Sequence, residues 1–559
     1  MTRRARHRAI LDRALEVIAT RGYWSPFPED PKAYGDAARA AGERAFHALL
    51  GTPMEFDQPG VDGMVGPGDG GERSPYGMPL GISYPHVDPT LLLPAMAAAM
   101  PAWRDAGPEE RALVCLEILD RIHARSFEFA YAAMHTSGHG FLMALHAGAA
   151  HAQDRALEAI AHAYAEQSRL PTHAVWTKPR AGTGPLVMAK TFRTVPRGIS
   201  LLIGCATFPA WNGYPGLFAS LATGNPVLVK PHHSAVLPLA LTVRIAREVL
   251  REHGFDPNLV CLAAERSGEG LGKVLAARPE VRIVDYAGSG SLGPWLATNV
   301  RHAQVYAFTS GVNSILIEST SDYRGMLANL AFTLCLYSGQ LPGSPQNLLI
   351  PRDGIDTDQG HRGFTQVTDD LAAAVEELLA QPDLVFALLG AIVSPSVRTR
   401  LRHTDSGALG KVLLSSRQLT HPEFPDAAVH SPVLVELDAD GPADRATLLA
   451  GHFGPVCFAV AVESAQAGVD LVRDTVATRG AMITGGYTTS AAVESALVEA
   501  CADVGVSLAL NLTGDWYITQ SAVYSDLHGT GANPATTASF CDAGFVADRF
   551  RTVQVCRAE

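Results

Sequence analysis

The sequence predicts an α/β fold built from two parallel sheets wound with helices. Short apolar runs such as Ser200–Phe208, Asn225–Pro231 and Val281–Gly288 recur, separated by helical patterns of about 10–15 residues. Two of these runs end in turns that lead straight into helices, one through Lys230-Pro231 and one through Gly288–Gly293. The chain has 559 residues, 47% hydrophobic and 18% charged, which is enough apolar material to bury several cores without staples.

The elements follow in order. Residues 1–49 read as a helical extension, from the spacing of Ile10, Ala14, Val17 and Ile18, interrupted by the Pro-punctuated loop Tyr23–Gly35. Residues 52–86 are rich in Gly and Pro, hold no periodic pattern, and are expected to wrap a core built elsewhere. Long Ala/Leu-rich helices run from Pro89 to about Arg169. Trp176–Gly198 alternates like a hairpin, and the first α/β block follows it. A second block runs from about Asp322 to Thr519, and Phe545–Arg557 alternates as one last strand.

Composition excludes several functions. The net charge is −12 and no basic run extends beyond Arg3-Arg4, so nucleic acid is not an expected partner. No apolar run approaches the roughly 18 residues of a membrane span, and the basic, amphipathic start does not read as a secretory signal. The eight cysteines are dispersed without a CxxC pair, which reads as free thiols in a reducing cytoplasm.

Two motifs suit a phosphate. Lys230-Pro231 and Gly288-Ser289-Gly290-Ser291-Leu292-Gly293 each follow a strand and open a helix, so free backbone N–H groups collect at a helix start. Glycine also serves any tight strand-to-helix turn, and the ordered pair is stronger evidence than either member.

Taken with Leu201–Pro231, Leu336–Asn347 (LYSGQLPGSPQN) and His452-Phe453-Gly454-Pro455-Val456, these motifs resemble the aldehyde dehydrogenase superfamily in order and spacing. Tyr23–Gly35 and Ser525–Ala535 (SDLHGTGANPA) resemble its PaaN-type branch, associated with phenylacetate degradation. The resemblance covers essentially the whole chain. It implies a Rossmann-like dinucleotide-binding domain over 50–173 and 197–310 and a catalytic-type α/β domain over 311–530. It also implies an oligomerisation module from the hairpin 174–196 and the tail strand 535–557, hence a homodimer or a pair of dimers.

Members of that superfamily attack an aldehyde with a cysteine, use a glutamate base, hold the oxyanion with an asparagine and pass hydride to a nicotinamide. Carried over position by position, the nucleophile falls on Pro342, the base on Phe308 and the oxyanion group on Thr207. The ribose carboxylate falls on Gly451. Proline supplies neither a thiol nor an N–H, and phenylalanine accepts no proton. The expected pocket contains Thr207, Trp211, Asn212, Phe308, Pro342, Asp526 and His528, with Tyr214, Trp516 and Tyr524 as further aromatic lining. Gly213, Gly216, Gly339 and Gly451 are expected to leave room round it. Plain core packing explains the aromatics equally well.

Lys230, Gly288, Ser289 and Gly293 would hold a nucleotide. His233 stands where an acidic residue selects NAD, so weak binding with NADP no worse than NAD is the expectation. Substitute nucleophiles among Cys205, Cys335, Cys457, Ser338 and Ser344 are weighed against ordinary buried side chains. His135/His139, His146/His151 and His232-His233 lack a ligand set, so loop or surface positions are expected and no metal.

Three readings stay open. The first is a divergent enzyme acting non-oxidatively on an aldehyde, acyl or aromatic intermediate. The second is an NAD(P)-dependent aldehyde dehydrogenase with a relocated nucleophile. The third is an inert scaffold or regulatory partner.

Overall fold

A computed structural model describes residues 2–288, 291–309, 311–514, 516 and 527–559, with backbone only at residue 383. Ser289, Gly290, Tyr524 and Asp526 therefore lie outside the described residues.

The extension forms two helices, α1 (Arg3–Thr20) and α2 (Asp36–His47). Leu11, Ala14 and Val17 bury the apolar stripe of α1, while Arg3, Arg4 and Arg6 reach Glu117, Glu110 and Asp120. The loop between the helices is anchored: Ser25 Oγ donates to Asp154 Oδ1 at 2.6 Å, and Glu29 meets His151 Nε2 at 2.8 Å. Within 52–86, Val61–Val65 pairs antiparallel with Tyr84–Val87, a short ladder that no alternation in so Gly/Pro-rich a stretch announces. Four long helices follow: α3 (Pro89–Asp105), α4 (Gly107–His123), α5 (Ser126–Ser137) and α6 (His151–Gln167). Every residue of α5 is buried.

The hairpin is β1 (His173–Lys178) with β2 (Leu186–Pro196). The chain then builds a five-stranded parallel sheet from β3 (Ile199–Ile203), β4 (Val227–Lys230), β5 (Val260–Leu262), β6 (Val281–Gly288) and β7 (Gln304–Thr309). Its order is β5-β4-β3-β6-β7. Helices α7 (Pro209–Ala222), α8 (Leu237–Glu252) and α9 (Leu292–Asn299) connect or flank these strands. The chain winds outward through β4 and β5, then returns past β3 to lay down β6. This reversal opens a crevice at the carboxyl ends of β3 and β6, where open α/β sheets bind ligands.

Helix α10 (Tyr323–Cys335) enters the second block. Its sheet comprises β8 (Ser314–Ile317), β9 (Asn347–Pro351), β10 (Lys411–Leu414), β11 (Val433–Asp438), β12 (Val456–Val462), β13 (Ile483–Tyr487) and β14 (Ser507–Leu510). The order is β10-β11-β12-β9-β8-β13-β14, parallel except where β10 runs against β11. The last strand, β15 (Phe550–Ala558), pairs with β2 along its whole length. The resulting sheet leaves Val175, Trp176, Leu186, Val553 and Val555 exposed.

Arg549, just before β15, is fully buried and makes a bidentate pair with Asp285 of β6, at 2.6 and 2.8 Å. Gly216 of α7 is what admits this pair, because a Cβ there would lie 2.5 Å from Asp285 Cγ.

Candidate functional site

The crevice of the first sheet meets the second domain in a cleft of about 490 Å3. From the sheet side come Cys205 and Thr207 after β3, Asn212 of α7, Lys230 at the end of β4, and Tyr286–Gly288 of β6. Phe308 and Thr309 close β7 on the same cleft, and Gln340, Pro342, Phe453 and His528 face them. Parallel pairing sets Phe308 beside Ala287, which delivers both strand ends to one rim.

The segment carrying Pro342 is held under strain. Tyr337 and Ser338 both have φ near +50° and Gly339 has φ +64°, three successive residues in the left-handed region. Such conformations cost about 1–3 kcal/mol for a non-glycine residue and need over-determined surroundings. Those surroundings are visible. Ser338 Oγ donates to Gly390 O at 2.9 Å, Gln340 Nε2 to Ala391 O at 3.1 Å, and Gln340 Oε1 accepts from Val393 N at 3.2 Å. Gly339 packs against the Phe453-Gly454-Pro455 turn, where a Cβ would lie 2.3 Å from Gly454 O. That contact makes one structure of two motifs far apart in sequence. Asn313 clamps the other side: its Nδ2 donates to Pro342 O at 2.7 Å and Ser344 O at 3.0 Å, while its Oδ1 accepts from Met482 N at 2.9 Å.

Thr207 is positioned by its backbone. His139 Nε2 lies 2.6 Å from Thr207 O, and a carbonyl only accepts, so Nε2 carries the ring proton. His139 Nδ1 is buried without a partner among the described residues, and burial holds the imidazole neutral, its pKa lowered to about 4. Among the described residues the Thr207 side chain has no hydrogen-bond partner, and it lines the cleft.

Phe308 does not point at an opposing polar group. Its ring lies 3.6 Å from that of Phe540, centroid to centroid, with Phe545 edge-on at 6.3 Å. Phe540 in turn lies parallel to His528 at 5.9 Å, and His528 meets Trp211 edge-to-face at 4.4 Å. Trp211 consequently sits apart from the main cleft. With Phe208, Leu341, Pro342 and His528 it lines a separate apolar hollow of about 20 Å3. The single cavity expected between Thr207, Trp211, Phe308 and Pro342 is thus divided at Pro342 and His528. Trp211 Nε1–H is buried without an acceptor among the described residues.

Other expectations change. Tyr214 is core, its hydroxyl 2.8 Å from Thr242 Oγ1, and Trp516 is exposed. Gly213 faces Leu202 and Leu239, and Gly216 and Gly339 receive Asp285 and Gly454. Gly451 alone of the four opens onto free space, with nothing within 4 Å of a Cβ. The histidines expected in loops or at the surface include His135 and His139, which are buried. Among the candidate thiols, burial pushes Cys335 and Cys457 up to about 12, whereas Cys205 lines the cleft and accepts from Asn212 Nδ2 at 3.4 Å.

The nucleotide side holds a residue that the motifs do not reveal. Glu265, in the loop after β5, forms an ion pair with Lys230 and accepts from Leu271 N at 3.0 Å. Burial lowers the Lys230 pKa, and the Glu265 charge opposes that shift. A carboxylate therefore stands beside the lysine even though His233 occupies the sequence position expected for one. Lys230, Glu265, Gly288 and Leu292 line one end of the cleft, a cradle whose lysine and carboxylate suit a phosphate and a ribose hydroxyl. Gly293 lets the start of α9 approach β7, a Cβ there falling 2.8 Å from Thr309 Cγ2.

Among the described residues, His7, Glu117 and Asp120 bring possible metal-ligating atoms within 4.8 Å of one another. Arg3 and Arg121 already hold Glu117, and Arg6 holds Asp120, so the charge there is balanced without an ion.

The family model described as the aldehyde dehydrogenase family matches residues 88–500. A crystal structure described as an NAD-dependent aldehyde dehydrogenase from Burkholderia multivorans is 48% identical, with a TM-score of 0.96 over 100% of this chain and 99% of that one. The 1-pyrroline-5-carboxylate dehydrogenase of Bacillus subtilis (strain 168) is 26% identical over 48% of this chain, which spans only 52% of that protein. The vanillin dehydrogenase of Pseudomonas fluorescens is 25% identical over 68% of this chain and 73% of its own. A matching family model over most of the chain, a near-complete structural match and the motif-built cleft lead to one conclusion: the protein belongs to the aldehyde dehydrogenase family.

Proposed function

We propose that this chain binds a nicotinamide dinucleotide and a carbonyl compound in the cleft and acts on the carbonyl without a thiol at position 342. One observation carries the reading. Pro342 and Phe308 face the same cleft where the family's nucleophile and base are expected, and Phe308 is committed to Phe540 rather than to a proton or a water. The groups that remain are Thr207, Asn212 and His528. Hydroxyl and amide donors suit a carbonyl oxygen, and an imidazole moves a proton to or from the carbon next to the carbonyl or an attacking water. Neither step needs a cysteine. The aromatic rings of Phe308 and Phe453 on the cleft favour a flat apolar substrate, consistent with the PaaN-type motifs and with an aromatic or acyl intermediate. A dinucleotide bound in the cradle would accept hydride only in an oxidative reaction, a step that the non-oxidative one does not require. Its adenosine side would rest on Lys230 and Glu265, while Gly451 offers no carboxylate to the nicotinamide ribose.

A second reading rests on Cys205, the candidate thiol that lines the cleft. An oxidative reaction on this chain would run through it. The deciding experiment follows NAD(P)H formation at 340 nm with aliphatic, aromatic and CoA-linked aldehydes, alongside product analysis by mass spectrometry. Non-oxidative conversion, lost in His528→Ala and kept in Cys205→Ala, supports the first reading. NADH formation abolished by Cys205→Ala establishes the second, and no conversion of any kind leaves an inert scaffold.

A further inference from the structure

A second cavity, of about 400 Å3, lies away from the cleft where the N-terminal extension meets both domains. Helix α2 contributes Arg39, Glu43 and His47, and α5 contributes Tyr131, Met134 and His135. The second domain closes it with Phe386 and with the turn carrying His421, Glu423 and Phe424. None of these residues belongs to the family motifs or to the crevice of the first sheet.

Its walls are rings. Tyr76 and Phe424 lie 5.0 Å apart, His421 meets Phe386 edge-on at 4.8 Å, and His135 meets Phe424 edge-on at 5.6 Å. Ser74 Oγ lies 3.0 Å from His135 Nδ1 and fixes that ring. Burial lowers the His135 pKa to about 4 and that of His421 below its ordinary value, so both rings are neutral at neutral pH.

The charges are unequal. Among the described residues, the Glu43 and Glu423 carboxylates make no ion pair and accept no hydrogen bond. Both act on the Tyr131 hydroxyl, whose pKa is raised chiefly by burial and further by their charge. Arg39 is already engaged, its guanidinium 4.2 Å over the Phe141 ring and its Nε donating to Tyr131 at 3.3 Å. Those uncharged partners leave its single positive charge in place, so the cavity is an aromatic box with two carboxylates against one guanidinium, a net negative rim. Ring faces and carboxylates both attract positive charge and both disfavour an anion. The volume is that of a small-molecule site.

We propose that this cavity binds a small organic cation carrying an aromatic ring, with the charge between Glu43 and Glu423 and the ring against Tyr76 and Phe424. Binding here does not depend on the chemistry of the cleft.

The test titrates the full-length protein by calorimetry with three probes of one shape: benzyltrimethylammonium, benzyl alcohol and phenylacetate. The cation should bind at least tenfold more tightly than the alcohol, and the carboxylate most weakly. Glu43→Gln with Glu423→Gln, both at accessible positions, should weaken the cation at least tenfold and leave the alcohol unchanged. Phe424→Ala should weaken both. Saturating NAD should leave all three values unchanged, which separates this cavity from the cleft. Equal binding of cation and anion, no binding of the cation, or cation binding indifferent to the double Gln variant would each overturn the proposal. Unchanged thermal melting of the variants excludes unfolding as the cause of any loss.

Discussion

The rings of Phe308 and Phe540 lie 3.6 Å apart, centroid to centroid, so Phe308 is part of an aromatic cluster with Phe545 and His528. Placing a carboxylate there costs stability before it adds chemistry. Phe308→Glu should lower the unfolding free energy by about 3 kcal/mol, because a buried carboxylate would lack a partner. Urea denaturation measures it. The double variant Phe308→Glu, Pro342→Cys should still form no NADH from benzaldehyde, since Thr207 and Gly451 are unchanged.

Thiol accessibility should separate the cysteines. In the native protein iodoacetamide should label Cys556, which is exposed, and more slowly Cys205 in the cleft. Cys335 and Cys457, whose thiols burial pushes up to about 12, should react only after unfolding. Peptide mapping after timed labelling reads the order. A native Cys457 reacting as fast as Cys205 would contradict the assignment.

The Lys230–Glu265 pair makes a prediction opposite to the one drawn from His233. A carboxylate beside the lysine repels a 2′-phosphate, so NAD should bind more tightly than NADP. Glu265→Gln should narrow the difference mainly by improving NADP. Calorimetry with ADP-ribose and its 2′-phosphate reads this without any turnover. Gly451→Glu, at a position with open space around a Cβ, should keep the fold and tighten NAD.

Acid stability should fall early. His139 has its pKa lowered from 6.5 to about 4, so it stays neutral in the fold while the unfolded chain takes up a proton. Its contribution is present above about pH 6.5 and is lost as pH falls from there toward 4. His135, also near 4, adds in the same sense. Urea midpoints between pH 7.5 and 4.5 should decline steeply, and His139→Gln should flatten the slope while its amide still serves Thr207 O. An unchanged slope would mean the ring is not neutral.

Gly339→Ala should be among the most damaging small substitutions. Positive φ and a backbone oxygen 2.3 Å from the added carbon leave no low-cost relief, and a loss of about 3 kcal/mol is expected. Thermal melting checks it.

These outcomes also mark what the sequence makes legible. The strands Leu201–Ile203 and Val281–Gly288 announce themselves because a buried parallel strand is a continuous apolar run, and their turns carry Lys230 and Gly288 in order. Relations across the fold leave no local trace. The meeting of Glu265 with Lys230, the stacking of Phe540 on Phe308, and the Asn313 clamp on Pro342 O join residues on different elements. Gly216 shows the same limit from the other side: its missing side chain reads as room for a ligand, yet it accommodates the Asp285–Arg549 pair.

The burial of Arg549 against Asp285 has a bearing on how the chain is made. Asp285 emerges from the ribosome 264 residues before its guanidinium partner, with the whole second block between them. Until Arg549 emerges that carboxylate lacks its partner, and β2 has no β15 along one edge. The first α/β block therefore cannot reach its final packing on its own and must wait for the second block to leave the tunnel. Emergence of Arg549 and β15, rather than completion of the first sheet, should set the moment at which protease resistance is acquired.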